Sequence, residues 1–209
     1  SRDLLVRGNY VHHNHGPGLW TDGSNINVLY EHNLVVNNGG TGIFHEISYD
    51  AVIRDNVVMY NAATTRQMFA GGQIMISSSS NTEVHDNLAV VGATGGNAII
   101  VVQQDRGGSE QGQHVSTDNI VHNNTIVMLN GDSQTGAAGD LESGEDDWDV
   151  STNQFRDNLY YILDLSNRNW GWPHSRRTWT EWQGLGLDAG GTVSTDIPLH
   201  LTLIPAWRR

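Results

Sequence analysis

One short pattern recurs along the chain and fixes most of what it can fold into. Val6-Arg7-Gly8-Asn9-Tyr10-Val11, Tyr30-Glu31-His32-Asn33-Leu34-Val35, Ile53-Arg54-Asp55-Asn56-Val57-Val58, Val84-His85-Asp86-Asn87-Leu88-Ala89, Val121-His122-Asn123-Asn124-Thr125-Ile126 and Phe155-Arg156-Asp157-Asn158-Leu159-Tyr160 align on one asparagine. The steps between those asparagines are 24, 23, 31, 37 and 34 residues. A shortest step near 23 with longer variants describes one structural coil with loop insertions. Each copy reads as a short β-rich strand, a polar turn on Asn, a second strand and a Gly-rich corner, with no helical periodicity. Asn tolerates left-handed backbone and hydrogen-bonds through its amide, so Asn at equivalent turns would form a ladder from coil to coil. That is the physics of a parallel β-helix, whose successive coils pair about 4.8 Å apart. These asparagines are therefore read as fold signals, not as site residues.

Composition narrows the chemistry. The 209 residues contain no Cys, which excludes disulfides, thiol nucleophiles and thiolate metal sites. They contain no Lys either, which removes Schiff-base chemistry and the phosphate-loop lysine. With 23 acidic and 11 basic residues the net charge is −12, so nucleic acid is not an expected partner. No apolar run is long enough for a spanning helix, so no membrane partner is expected.

The repeat resembles the right-handed parallel β-helix proteins of the broad pectate-lyase-like group. The stretch Gly16-Pro17-Gly18-Leu19-Trp20-Thr21-Asp22, followed by Leu29 to Asn33 and Gly42 to Ile53, is similar to segments of secreted bacterial β-helix proteins. Thr178-Trp179-Thr180-Glu181-Trp182-Gln183-Gly184-Leu185-Gly186-Leu187-Asp188 is similar to the Trp-x-x-x-Gly-x-Asp tail after the last coil of many carbohydrate-active members. Asp196-Ile197-Pro198-Leu199-His200 departs from the Asp-Pro-hydrophobic continuation of that tail. The resemblance implies an all-β solenoid of about six or more coils spanning residues 1–209, with coils over 1–165 and a Trp-rich capping tail over 166–209. It also implies a secreted or cell-surface carbohydrate-active protein. The chain enters its first coil directly at Ser1-Arg2-Asp3, which suggests lost upstream coils or self-association through an uncapped N-terminal edge.

The first two corners share a register that points to a site. Gly18 lies nine residues after Asn9 and Gly42 nine after Asn33. If Leu19 and Ile43 face inward, alternation turns Trp20 and Phe44 outward, Thr21 and His45 inward, and Asp22 and Glu46 outward. Aromatic faces beside carboxylates suit a sugar: rings pack on C–H faces while acids move protons. Asp22 and Glu46 on neighbouring coils would approach the separation of about 5–5.5 Å found in retaining glycosidases. The competing reading buries Trp20 and Phe44, leaves Asp22 and Glu46 as turn residues, and makes His45 structural.

A polysaccharide lyase would instead need a base and a cation, for which His45, Tyr49, Arg66 and Arg106 are available. Insertions around Thr64–Phe69, Gln103–Glu110 and Gly131–Trp148 would build the binding face, adding Gln104 and the two arginines to the substrate contacts. No cofactor is required by either chemistry, although Asp140, Glu142, Glu145, Asp146, Asp147 and Asp149 offer oxygen ligands for Ca²⁺ if that run is not a solvated loop. His45-Glu46 lacks the second histidine of a zincin, since residue 49 is Tyr. His12, His13 and His15 sit together in the first turn region and could bind a metal, although alternation would split them between faces and no matching carboxylate spacing is evident. Gly107-Gly108-Ser109-Glu110-Gln111 lacks the last glycine of a nucleophile elbow, and Asn123-Asn124-Thr125 is a glycosylation sequon lying on the repeat turn. Trp170, Trp172, Trp179, Trp182 and Trp207 would form a plug over the last coil or an aromatic sugar platform.

The functional expectation is polysaccharide cleavage, with a glycoside hydrolase ahead of a lyase because an acidic chain favours a neutral glycan. The alternative is a non-catalytic glycan-binding scaffold or a fragment of a larger protein.

Overall fold

The computed structural model describes residues 1–64, 71–139, 148–173 and 175–205. Its strands fall into three long sheets that wind a right-handed β-helix of six coils. The first sheet takes Arg2–Arg7, Ile26–Glu31, Tyr49–Arg54, Ser80–His85, Ile120–His122 and Gln154–Arg156. The second runs from Tyr10–His12 through Leu34–Val36, Val57–Met59, Leu88–Val91 and Thr125–Met128 to Leu159–Ile162. The third stacks Leu19–Thr21, Ile43–Glu46, Ile74–Ser77, Ile99–Gln103, Thr135–Gly139 and Trp170–Trp172. Neighbouring coils pair in parallel, as in Leu4↔Val28, Val35↔Val58 and Ile43↔Ile74.

Alternation sends one side chain of each pair inward. Val28, Ile53, Val84, Val58, Ile126, Ile74, Ile99 and Tyr160 fill the axis of the coil and are 1% exposed or less. At about 1.5–3 kcal/mol for each large side chain taken out of water, this column is the main stabilising term.

The asparagine ladder forms. Asn9, Asn33, Asn56, Asn87 and Asn124 each donate from Nδ2 to Oδ1 of the next asparagine at 2.9–3.0 Å, ending on Asn158. The left-handed residue is the one before each asparagine: Gly8, His32, Asp55, Asp86, Asn123 and Asp157 have φ between 53° and 67°. The asparagines themselves do not take that backbone. Their amides satisfy corner carbonyls and N–H groups that no strand can reach.

Two further ladders occupy the other corners. Asn14, Asn38, Asn61 and Gln73 link at 2.8–3.0 Å, and Ser48, Ser79 and Ser116 continue a column begun by Asn25. Gly18 and Gly42 sit where a Cβ would strike the facing carbonyl and Val35 or Val58, so their corners close only without a side chain.

The coils run past residue 165, because Trp170 and Gly171 pair with Thr135 and Gly136. The sixth strand of the third sheet thus belongs to the part expected to be capping tail. Beyond it, Trp179–Gln183 forms a short helix started by a Thr178–Glu181 capping box. It brings Trp182 to the end of the axis, where Trp182 and Trp170 are fully buried and Phe155 meets Trp182 at 5.3 Å. The tryptophans form the plug, not a platform; Trp207 lies outside the described residues.

Asp188 ends the first ladder. Its Oδ1 accepts from the backbone N–H and Nδ2 of Asn158, and its Oδ2 from the Tyr160 hydroxyl at 2.6 Å and the Trp182 indole at 3.1 Å. The Trp-x-x-x-Gly-x-Asp motif is thus a ladder terminator with its own indole donor. The strand Thr192–Ser194 then pairs with Leu159–Ile162, and Ile197 and Leu201 cross the outer face of the second sheet.

Candidate functional site

The outer face of the third sheet carries the predicted constellation. Trp20 is 53% exposed, and its ring lies parallel to that of Phe44, with centroids 5.7 Å apart and planes 7° from each other. Thr21 and His45 point inward, in the alternation read from the sequence.

Glu46 keeps the outward direction but is covered rather than open. It is 5% exposed, accepting from the Trp20 indole at 3.1 Å and from Arg106 Nη1 at 2.8 Å. Asp22 lies exposed one residue past its strand, and its backbone carbonyl accepts from Asn25. Glu46 is therefore paired with a cation and an indole rather than with Asp22. The reason lies 60 residues downstream, in a loop whose fold no local pattern specified.

That loop, residues 104–116, contains the small hairpin Gly108–Ser109 with Gly112–Gln113. Arg106 reaches Glu46 and also Gln104 Oε1 at 3.2 Å; Tyr49 donates to the Gly112 carbonyl at 2.9 Å; His114 Nε2 lies 3.3 Å from Ser24 Oγ. The loop is thus latched across the corner beside the aromatic pair. Ser24 and His114 were not singled out from the sequence, and their separation of 90 residues explains why.

Two of the four predicted catalytic groups have structural settings. Tyr49 is 7% exposed and holds the loop, so its hydroxyl already has partners. His45 is fully buried, with Nδ1 2.9 Å from Thr21 Oγ1, which is itself 2.7 Å from the Tyr30 hydroxyl. Burial holds the imidazole neutral down to about 3 and pushes the Tyr30 hydroxyl up. Neither His45 nor Tyr49 faces a ligand on this surface, as the lyase chemistry required. Arg66 lies outside the described residues, as do Asp140, Glu142, Glu145, Asp146 and Asp147 of the proposed Ca²⁺ run. Asp149 caps the turn Val150–Thr152 through Ser151 N at 3.0 Å. Among the described residues no group of three or more His, Asp or Glu converges as a metal site.

Neutral His45 makes stability pH-dependent. Unfolding lets the imidazole take a proton below its ordinary 6.5, which the folded state refuses until about 3. Its contribution is complete above 6.5 and falls by about 1.4 kcal/mol per unit as pH drops through that window. Urea denaturation at pH 7 and pH 5 should show a loss about 2 kcal/mol larger for the parent than for His45→Leu. Equal losses would mean that His45 does not govern this window.

Residues 1–89 match the family model described as the right handed beta helix region. The match covers less than half of the chain; together with the three parallel sheets it fits a right-handed parallel β-helix repeat fold. Such regions occur in pectate lyases and glycoside hydrolases and also in other proteins, so function has to be argued from the site. Searches of the curated proteins and of the solved structures gave no match. Among the described residues no helix is long and apolar enough to cross a membrane.

Proposed function

We propose that the protein is a secreted or cell-surface glycan-binding β-helix, with Trp20 and Phe44 as its sugar platform and Glu46, Gln104 and Arg106 along the platform's edge. The observation that carries this reading is an indole 53% exposed yet fixed in orientation, by its stack on Phe44 and its bond to Glu46. Such a face offers pyranose C–H groups a flat apolar surface without an ordering cost on binding. The Arg106 charge is balanced by Glu46, and the chain as a whole is acidic, which favours a neutral glycan over a uronate.

Cleavage is the second reading, supported by exposed Asp22 at the level of Glu46 on the adjoining coil. It requires one carboxyl to give a proton while the other attacks or activates water. Binding ranks ahead because both Glu46 oxygens already accept bonds and the carboxylate is covered.

Calorimetry against a panel of neutral and uronate oligosaccharides tests the proposal. Trp20→Ala is expected to weaken binding about tenfold, the loss of about 1.4 kcal/mol of stacking, while Asp22→Asn binds like the parent. A parallel assay of reducing ends and of absorbance at about 235 nm separates the readings, the latter marking the unsaturated product of lyase chemistry. Turnover that disappears in both Glu46→Gln and Asp22→Asn would establish cleavage; an absence of binding across the panel would end the glycan reading.

A further inference from the structure

The outward position before the second corner carries, in register, His12, Val36, Met59, Val90, Val127 and Tyr161. His12 departs from this apolar and aromatic column. The next residue, His13, has left-handed backbone with φ 55°, as Asn37 and Tyr60 do at the equivalent places. In a regular strand consecutive side chains face opposite sides, but one left-handed residue breaks that alternation. His12 and His13 therefore meet on the same side. Their Nδ1 atoms are 2.9 Å apart, the ring planes are 86° from each other, and both residues are exposed.

The separation has chemical meaning. At 2.9 Å the two Nδ1 atoms share one hydrogen bond, and a small turn of the exposed rings reaches the roughly 2.9–3.3 Å that two metal–imidazole bonds of about 2.0–2.1 Å span. Imidazole donors of this kind favour Cu(II), followed by Ni(II), among divalent first-row ions. The backbone beneath the pair is fixed. Asn14 donates from N and Nδ2 to Asn38 Oδ1 at 3.1 and 2.8 Å, Gly39 N donates to the Asn14 carbonyl at 2.7 Å, and Tyr10 stacks on His12 at 4.3 Å.

We propose that His12 and His13 form a two-nitrogen chelate for a divalent transition ion, Cu²⁺ or Ni²⁺, with water in the remaining positions. Without metal, one ring's N–H points at the other's lone pair. On binding, that ring carries its proton on Nε2 instead, and both exposed rings turn so that their Nδ1 lone pairs converge on the ion. A second histidine pair among the described residues, His85 and His122, lacks this geometry. Its rings are parallel within 9°, and His85 Nδ1 and His122 Nε2 are taken by Asp86 and Glu83.

The test is calorimetric titration of the full chain with NiCl₂ and CuCl₂ in imidazole-free buffer, with electron paramagnetic resonance of the Cu²⁺ form. One ion per chain is expected, bound more tightly for Cu²⁺ than for Ni²⁺, with two nitrogen ligands in the spectrum. His12→Ala and His13→Ala should each weaken Ni²⁺ binding on the order of 10²-fold, because the second donor's effective concentration is lost. Both side chains are exposed, so unchanged circular dichroism is expected, and His85→Ala should bind like the parent. No saturable binding, or parent-like binding in both His12→Ala and His13→Ala, would overturn the proposal, and neither result bears on the glycan reading.

Discussion

Asp188→Ala should lower stability by about 4 kcal/mol, while Asp188→Asn should cost about 1–2 kcal/mol. The carboxylate accepts from four donors inside the C-terminal cap: the Asn158 N–H and amide, the Tyr160 hydroxyl and the Trp182 indole. Alanine leaves these donors facing apolar atoms, at about 1–3 kcal/mol for each that finds no other partner. Asn158 Nδ2 keeps the Val121 carbonyl at 3.0 Å, which holds the total below the simple sum. Asparagine extends the ladder by one more rung: it keeps an acceptor for Asn158 and can donate to the Tyr160 hydroxyl, while the Trp182 indole loses its acceptor. Burial pushes the Asp188 carboxyl up, and the Tyr160, Asn158 and Trp182 donors pull it back. Urea denaturation of the three proteins decides the matter, and an alanine variant within 1 kcal/mol of the parent would show that the ladder needs no terminator.

Ending the chain at Thr195 should convert the protein into a self-associating species. Val36, Met59, Val90 and Val127 point away from the axis, yet each is fully buried, and Leu34 beside them nearly so. Ile197 and Leu201 pack on this patch, and the Tyr60 hydroxyl donates to the Thr202 carbonyl. Removing two half-buried apolar side chains costs about 2–4 kcal/mol and uncovers a strip of valine and methionine along the second sheet. Sedimentation should show oligomers whose proportion rises with concentration. A monomeric truncation product of parent stability would mean that the tail contributes nothing as a cover.

How far the sequence could be read follows from where each constraint resides. Asn9, Asn33 and Asn56 recur at the coil period, and so do Asn14, Asn38 and Asn61, with the same steps of 24 and 23. The first series stands out by the strand pattern that flanks it, and the second is equally periodic. The left-handed positions fall one residue before the asparagines that the pattern points to, at Gly8, His32 and Asp55, which share no residue type. What they share is a place in the turn. Trp20 and Phe44 could be directed outward because alternation within a strand is a local rule. Glu46 could not be understood that way, for its cation is Arg106, contributed by a loop folded back from the fourth coil. His12 and His13 were separated by the same alternation and brought together by one positive φ.

The sequence by itself determined the coil: its period, its alternation, its asparagine column and the insertions, because stacking repeats each residue's environment from one turn to the next and leaves a periodic trace. Tertiary structure alone decided which side chains meet across insertions and ends. The Glu46–Arg106 pair, the Tyr49 and His114 contacts of the loop, the termination of the ladder at Asp188 and the cover formed by Ile197 and Leu201 each occur once, between segments whose spacing follows no repeat. An interaction made a single time leaves no period to read, and its partners become known only when the chain has closed upon itself.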